Sequence, residues 1–263
     1  MRLGFIGAGN MAQAMIGGIL AKEIIKKEDI IASAATQNTI DKVAKEFGIN
    51  VTLDNREVAK ADIVFLAVKP FYYEEVIDGI KDVVDEKQLI ISVAAGKSVE
   101  WVENAFGGKK KIVRIMPNTP ALVGEAVTAI CPNANITDGE KQEIVELIAS
   151  FGLAQIVSEK IMDAVIAVSG SSPAYVFMFI EAMADAAVAE GMPRVQAYQF
   201  AAQSVLGSAK MVLETGKHPG ELKDMVCSPS GTTIEAVKVL EEKGFRSSII
   251  EAMIACADKS RNM

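Results

Sequence analysis

The chain has 263 residues, enough for one large domain or two ordinary ones; half are hydrophobic and 23% charged, and with 20 glycines and 8 prolines disordered, collagen-like and low-complexity classes are excluded. Its 27 basic and 34 acidic residues leave a net charge of −7, which argues against partnership with nucleic acid or an anionic membrane and for soluble small-molecule chemistry. Three cysteines without a CxxC pair and a single histidine, His218, cannot build a His-rich metal site, so no metal is expected and a reduced, cytoplasmic compartment fits best.

The first predicted strand is Leu3–Ile6, reached without the long apolar stretch of a signal peptide, so no export is expected. It runs directly into Gly7-Ala8-Gly9-Asn10-Met11-Ala12, a G-x-G-x-x-A string in the strand-to-helix setting where it signals dinucleotide binding. The first glycine makes the turn, the second lets backbone approach a pyrophosphate, and the small third position lets helix and strand pack closely. The second strand, Ile30–Ser33, leads into Ala34-Ala35-Thr36-Gln37-Asn38. No acid stands there to hold a ribose 2′-hydroxyl, so NADPH is expected, with NADH as the alternative. Strands follow at Ile63–Val68 and Leu89–Val93, whose ends carry Lys69-Pro70 and Ala94-Ala95-Gly96. Carboxyl ends of strands are where an open α/β sheet places its ligand crevice, which gives Lys69 a role beyond that of a random surface lysine. Ile112–Met116 ends in Pro117-Asn118-Thr119-Pro120, a loop stiffened by its two prolines. Ala126–Cys131, a helix opened by the capping-box spacing of Thr137 and Glu140, and Leu153–Val157 complete this half. The alternation predicts a parallel sheet of Rossmann type over residues 1–157.

From Ser158 the β signal ends, and residues 158–263 read as an all-α domain. Its helices are Glu159–Val168, Pro173–Glu190, Arg194–Thr215, Glu221–Val226, Thr232–Lys243 and Arg246–Lys259, with glycines at several of the stops. The stretch Ala174–Val188, interrupted by Glu181 and Asp185, falls short of the roughly 20 clean residues of a membrane span and is expected to be buried in protein. A helix apolar on every face is more than a domain of about a hundred residues can wrap, so an obligate oligomer built on a dimer of this half is expected. Further on, Ser228-Pro229-Ser230-Gly231-Thr232-Thr233 brings free amides and two hydroxyls to a helix start. It reads equally as a plain cap and as a carboxylate site that needs no basic side chain. His218, beside Pro219, is expected to be a loop or capping residue.

Gly7–Ala12, Ala67-Val68-Lys69-Pro70, Ser92-Val93-Ala94-Ala95-Gly96, Met116-Pro117-Asn118-Thr119-Pro120, Ser169-Gly170-Ser171-Ser172-Pro173-Ala174-Tyr175 and the Gly231-Thr232-Thr233 turn together resemble pyrroline-5-carboxylate reductases over essentially the whole chain. The resemblance implies reduction of 1-pyrroline-5-carboxylate to L-proline by NAD(P)H, the last step of proline synthesis. It implies a cofactor site of Ile6, Gly7, Ala8, Gly9, Asn10, Met11, Ser33, Asn55, Ala67, Val68, Lys69, Pro70, Val93, Ala94 and Ala95. It also implies a substrate-carboxylate site of Gly231, Thr232 and Thr233, with Thr233 nearest the ring nitrogen and Thr233 and Lys69 as the candidate catalytic residues. Ser172 and Ser230 stand where that family usually has glycine. β-Hydroxyacid dehydrogenases and imine reductases also join such halves, but they need a Lys or Asp on the interdomain helix, where Ala164–Pro173 offers only apolar residues, a glycine and serines. A non-catalytic NADP sensor would be expected to lack the Gly231-Thr232-Thr233 turn.

Overall fold

The computed structural model describes residues 1–262. Its first unit holds an eight-stranded sheet: β1 (Leu3–Ile6), β2 (Ile30–Ser33), β3 (Asn50–Thr52), β4 (Ile63–Leu66), β5 (Leu89–Ser92), β6 (Lys111–Met116), β7 (Ala126–Pro132) and β8 (Gly152–Ile156). The spatial order is β3-β2-β1-β4-β5-β6-β7-β8. Neighbouring strands run parallel except at β6 and β7, which pair antiparallel. The order reverses direction at β1 and β4, which is the switch point where open sheets of this kind bind ligands. The fold class expected from the βα alternation is therefore present, with an added edge strand, β3, that the reading of the sequence missed.

Helices cover both faces of this sheet, and the strands are apolar at consecutive positions for that reason. On one face α1 (Asn10–Ala21) sets Met15, Ile16 and Ile19 against Phe5, Phe65 and Ile91. The rings of Phe5 and Phe65 stack at 4.4 Å, a pairing worth about 0.5–1.5 kcal/mol beyond the area it buries. Three further helices follow in this part of the chain: α2 (Gln37–Phe47), α3 (Asn55–Val58) and α4 (Tyr73–Ile80). The other face packs Ile6, Val64, Leu66, Ile90 and Ile112 against α4 and α5 (Val99–Ala105). The capping box predicted at Thr137 is complete, with both reciprocal bonds made at the start of α6 (Asp138–Ile148).

Past β8 the chain stays on this unit for another turn or two. After a short 3-10 turn, Glu159 to Ile161, come α7 (Met162–Val165) and a π-helical turn at Ile166–Gly170. Met162 and Ala167 are buried. The Glu159 carboxylate accepts from the buried Arg114 guanidinium and from the Val99 amide, both at 2.9 Å, and Asn118 Nδ2 donates to the Ser169 carbonyl at 3.0 Å. These contacts hold the segment after β8 on the sheet, and the compact units divide at Ser171/Ser172. The stretch from Cys256 onward also belongs to the first unit, where Ser260 donates to Asp163 at 2.6 Å and Cys256 lies 3.2 Å from the Ser171 hydroxyl.

The second unit, Ser172–Ala255, holds α8 (Ser172–Ala189), α9 (Arg194–Thr215), α10 (Pro219–Val226), α11 (Thr232–Glu242) and most of α12 (Phe245–Arg261). α9 matches its expected limits. Gly216, left-handed at φ 63°, stops it as a Cβ-free residue can. His218 caps α10, its Nδ1 accepting from the Gly220 amide at 3.0 Å. One expectation about α8 is corrected. The helical run Glu159–Ala189 is, by length and composition, long and apolar enough to cross a membrane, because the turns at Glu159–Gly170 extend it. The helix is not buried by its own chain, in keeping with the expectation that one copy cannot wrap it: only Ala184 of α8 is buried, while Phe177 and Met178 are 62% and 69% exposed.

Candidate active site

At the end of β1 the chain must turn sharply into α1, and Gly7 does so at φ 97°; a Cβ there would meet the Ala67 carbonyl oxygen at 2.7 Å. Gly9 then caps α1 with no side-chain hydrogen bond to the first-turn amides. Nothing lies within 4 Å of where a Cβ on Gly9 would project. The N–H groups of Asn10, Met11 and Ala12 have no intrahelical acceptor by position, so the helix start offers donors and open space suited to a pyrophosphate. Ala12, the small third position of the motif, is fully buried against the sheet.

These residues line one wall of a cleft of about 720 Å³ over the carboxyl ends of the strands. The structure brings Gly7, Ala8, Gly9, Asn10, Met11, Ala67, Val68, Lys69, Pro70, Val93, Ala94 and Ala95 together there. It does not bring Ile6, Ser33 or Asn55 to the cleft wall. Ile6 is a core residue. Ser33 has no exposed surface and donates to Asn55 Oδ1 at 2.6 Å, so its hydroxyl braces the loop behind the cleft. The wall at this end is formed instead by Ala34, Ala35 and Thr39, at the start of α2, where Thr36 Oγ1 and Thr39 Oγ1 are 2.9 Å apart. Two hydroxyls, a helix N-terminus and no carboxylate suit a 2′-phosphate. Met116, Pro117, Thr119, Tyr72 and Leu122 also line the cleft. The first three sit in the Met116–Pro120 motif, to which the sequence alone assigns no role, whereas nothing in the sequence marks Tyr72 or Leu122.

In the second unit, Gly231 caps α11 with no side-chain bond. The turn before it is closed by the Gly231 amide on the Ser228 carbonyl at 3.1 Å. Pro229 and Ser230 are its central residues, and Ser230 is left-handed at φ 58°. A proline followed by a positive φ is the type II pattern, which favours glycine at the second place; this accounts for the strain carried by Ser230. Ser172 is not among the residues of positive φ. Thr232 is exposed and Thr233 half-buried. The first turn of this 11-residue helix therefore keeps its amides and two hydroxyls free of a capping side chain, an arrangement that can take a carboxylate without a basic residue.

Residues 159–263 match the family model described as "Pyrroline-5-carboxylate reductase dimerisation", and residues 2–96 the model "NADP oxidoreductase coenzyme F420-dependent". The chain is 51% identical to a pyrroline-5-carboxylate reductase of Escherichia coli over 100% of its own length and 98% of that protein. Among solved structures it resembles a pyrroline-5-carboxylate reductase from Coxiella burnetii, with TM-score 0.91, 35% identity and coverage of 99% and 97% of the two chains. It also resembles the Plasmodium falciparum pyrroline carboxylate reductase with NADP bound, with TM-score 0.91, 34% identity and coverage of 100% and 97%.

Proposed function

The chain belongs to the pyrroline-5-carboxylate reductase family, and from that premise we propose how its residues divide the work. It is an NAD(P)H-dependent oxidoreductase that reduces 1-pyrroline-5-carboxylate to L-proline, the last step of proline biosynthesis. The observation that carries the residue assignment is the uncapped helix start at each site, Gly9 before α1 and Gly231 before α11. The nicotinamide cofactor supplies a hydride when bound. The α1 amides with Gly7 to Met11 hold its pyrophosphate, Ala67 to Pro70 and Val93 to Ala95 form the walls beside it, and Lys69 contributes a positive charge at the cleft. Thr39 and the α2 start favour NADPH. Gly231, Thr232 and Thr233 hold the substrate carboxylate, and the Thr233 hydroxyl orients the ring nitrogen. A protonated imine already carries the proton that ends on the product amine, so the protein's task is positioning rather than acid–base chemistry.

The apolar face of α8 is covered in our reading by a second copy of the chain, giving a homodimer or an oligomer of dimers, with Phe177 and Met178 in the interface. The decisive experiment follows NADPH absorbance with and without 1-pyrroline-5-carboxylate. Substrate-dependent oxidation is the expected result, and a rate equal to the no-substrate control at saturating cofactor overturns the reading.

A further inference from the structure

Tyr73 opens α4 and has no exposed surface; its ring belongs to the core of Val64, Ile77 and Ile80. Its phenol reaches past that core to the carboxyl ends of β4 and β5. It donates to the Leu66 carbonyl at 2.5 Å and accepts from the Val93 amide at 3.1 Å and the Ser92 hydroxyl at 3.2 Å. One donor and two acceptor positions are all a phenol possesses, and all three are used. Leu66 and Val93 are themselves the two members of the rung that follows the Leu66↔Ser92 register pair. That rung is stretched to 3.4 Å, whereas the Ala67 amide meets the Ile6 carbonyl at 2.8 Å where β4 leaves β1. The phenol oxygen thus shares both groups of the ladder's last rung, the Leu66 carbonyl and the Val93 amide, and stands where the two strands end. The strands part immediately before Ala67 and at Val93, where both chains become cleft wall.

We propose that Tyr73 is a positioning residue for the cofactor, a wedge that ends the β4/β5 ladder and sets the separation of the Ala67–Lys69 and Val93–Ala95 segments. This rests on the reading of the cleft as the NAD(P)H site. Burial pushes the phenol's ionisation up to about 12, so its donor to Leu66 is retained at any pH the protein meets.

Tyr73→Phe keeps the ring and removes only the wedge. With NADPH itself as the fluorescent probe on the intact protein, its Kd is expected to rise about fivefold, while kcat at saturating NADPH falls by a smaller factor. In NMR the Val93 amide is expected to exchange more slowly as its rung to Leu66 shortens. Ser92→Ala leaves the phenol two of its three partners and is expected to raise Kd less, in the same direction; it carries the test alone if Tyr73→Phe yields no folded protein. An unchanged Kd in the folded variants, even with a lowered Tm, makes the contact merely structural and overturns the proposal. If the unaltered protein does not bind NADPH, the cofactor reading falls, and the wedge with it.

Discussion

Ala35 stands on the cleft wall beside the start of α2, in the loop where an NAD-selective sheet would present an acid. A carboxylate introduced there would face the 2′-phosphate directly, so Ala35→Asp is expected to lower kcat/KM for NADPH about tenfold or more while sparing NADH. Steady-state kinetics with both coenzymes checks it, and an equal loss with each would place the 2′-phosphate elsewhere. Ser33 is the poorer choice for such a switch, because its buried hydroxyl is already committed to Asn55. At the substrate turn, Thr233→Ala is expected to raise KM for the imine and lower turnover, at a cost of about 1–3 kcal/mol. The Kd for NADPH should stay nearly constant, and its collapse would assign the turn to the cofactor. Ser230 adopts a left-handed conformation that costs an L-residue about 1–2 kcal/mol. Ser230→Gly relieves this but loosens the unfolded chain, so a net gain of up to about 1 kcal/mol in a denaturant titration is expected.

The capping box of α6 shows how an element's stability depends on pH. Glu140 accepts from Lys111 Nζ at 2.5 Å and from the Thr137 amide at 2.9 Å, and the Lys111 bond above all holds its carboxyl below the usual range. A depressed carboxylate pKa stabilises the fold above the unfolded pKa and loses that contribution as pH falls through the folded value. Glu140→Gln is therefore expected to cost about 1 kcal/mol at pH 7, with the gap between the two proteins closing below about pH 4. A gap that widens in acid would contradict the assignment. The same box was legible in the spacing of Thr137 and Glu140, as were β1 and β2 to the residue, since continuous apolar runs bounded by glycine or polar loops have one reading. β3 was missed because Asn50-Val51-Thr52 is three residues long and two of the three are polar. The apolar runs Ile63–Val68 and Leu89–Val93 overran their strands because residues can stay apolar after the ladder has been interrupted, and nothing local to either run reveals a phenol arriving from the next helix. Twelve of the fifteen expected cofactor residues lie on the cleft. The walls at Thr39, Tyr72 and Leu122 were not marked because a hydroxyl within a helix and apolar or aromatic side chains past a strand end carry no chemical signature of their own.

For the molecule as a whole, the exposed face of α8 governs behaviour in solution. Light scattering at low micromolar concentration is expected to report at least twice 28.0 kDa. Phe177→Lys, at a position 62% exposed in the single chain, is expected to dissociate the assembly and abolish activity together. It is a cleaner probe than Phe179, whose ring already packs on Phe245 at 6.1 Å. A stable, active monomer would refute the proposed assembly. The first unit is also discontinuous: Asp163 and Ser171 receive their partners Ser260 and Cys256 from the far end of the chain. During synthesis the sheet can therefore close while the ribosome is still translating the helices, but the contacts of Asp163 and Ser171 must wait for Cys256 and Ser260 to emerge. A nascent chain arrested before Cys256 is expected to be cut by protease between Glu159 and Ser171, and release of the finished polypeptide to remove that sensitivity.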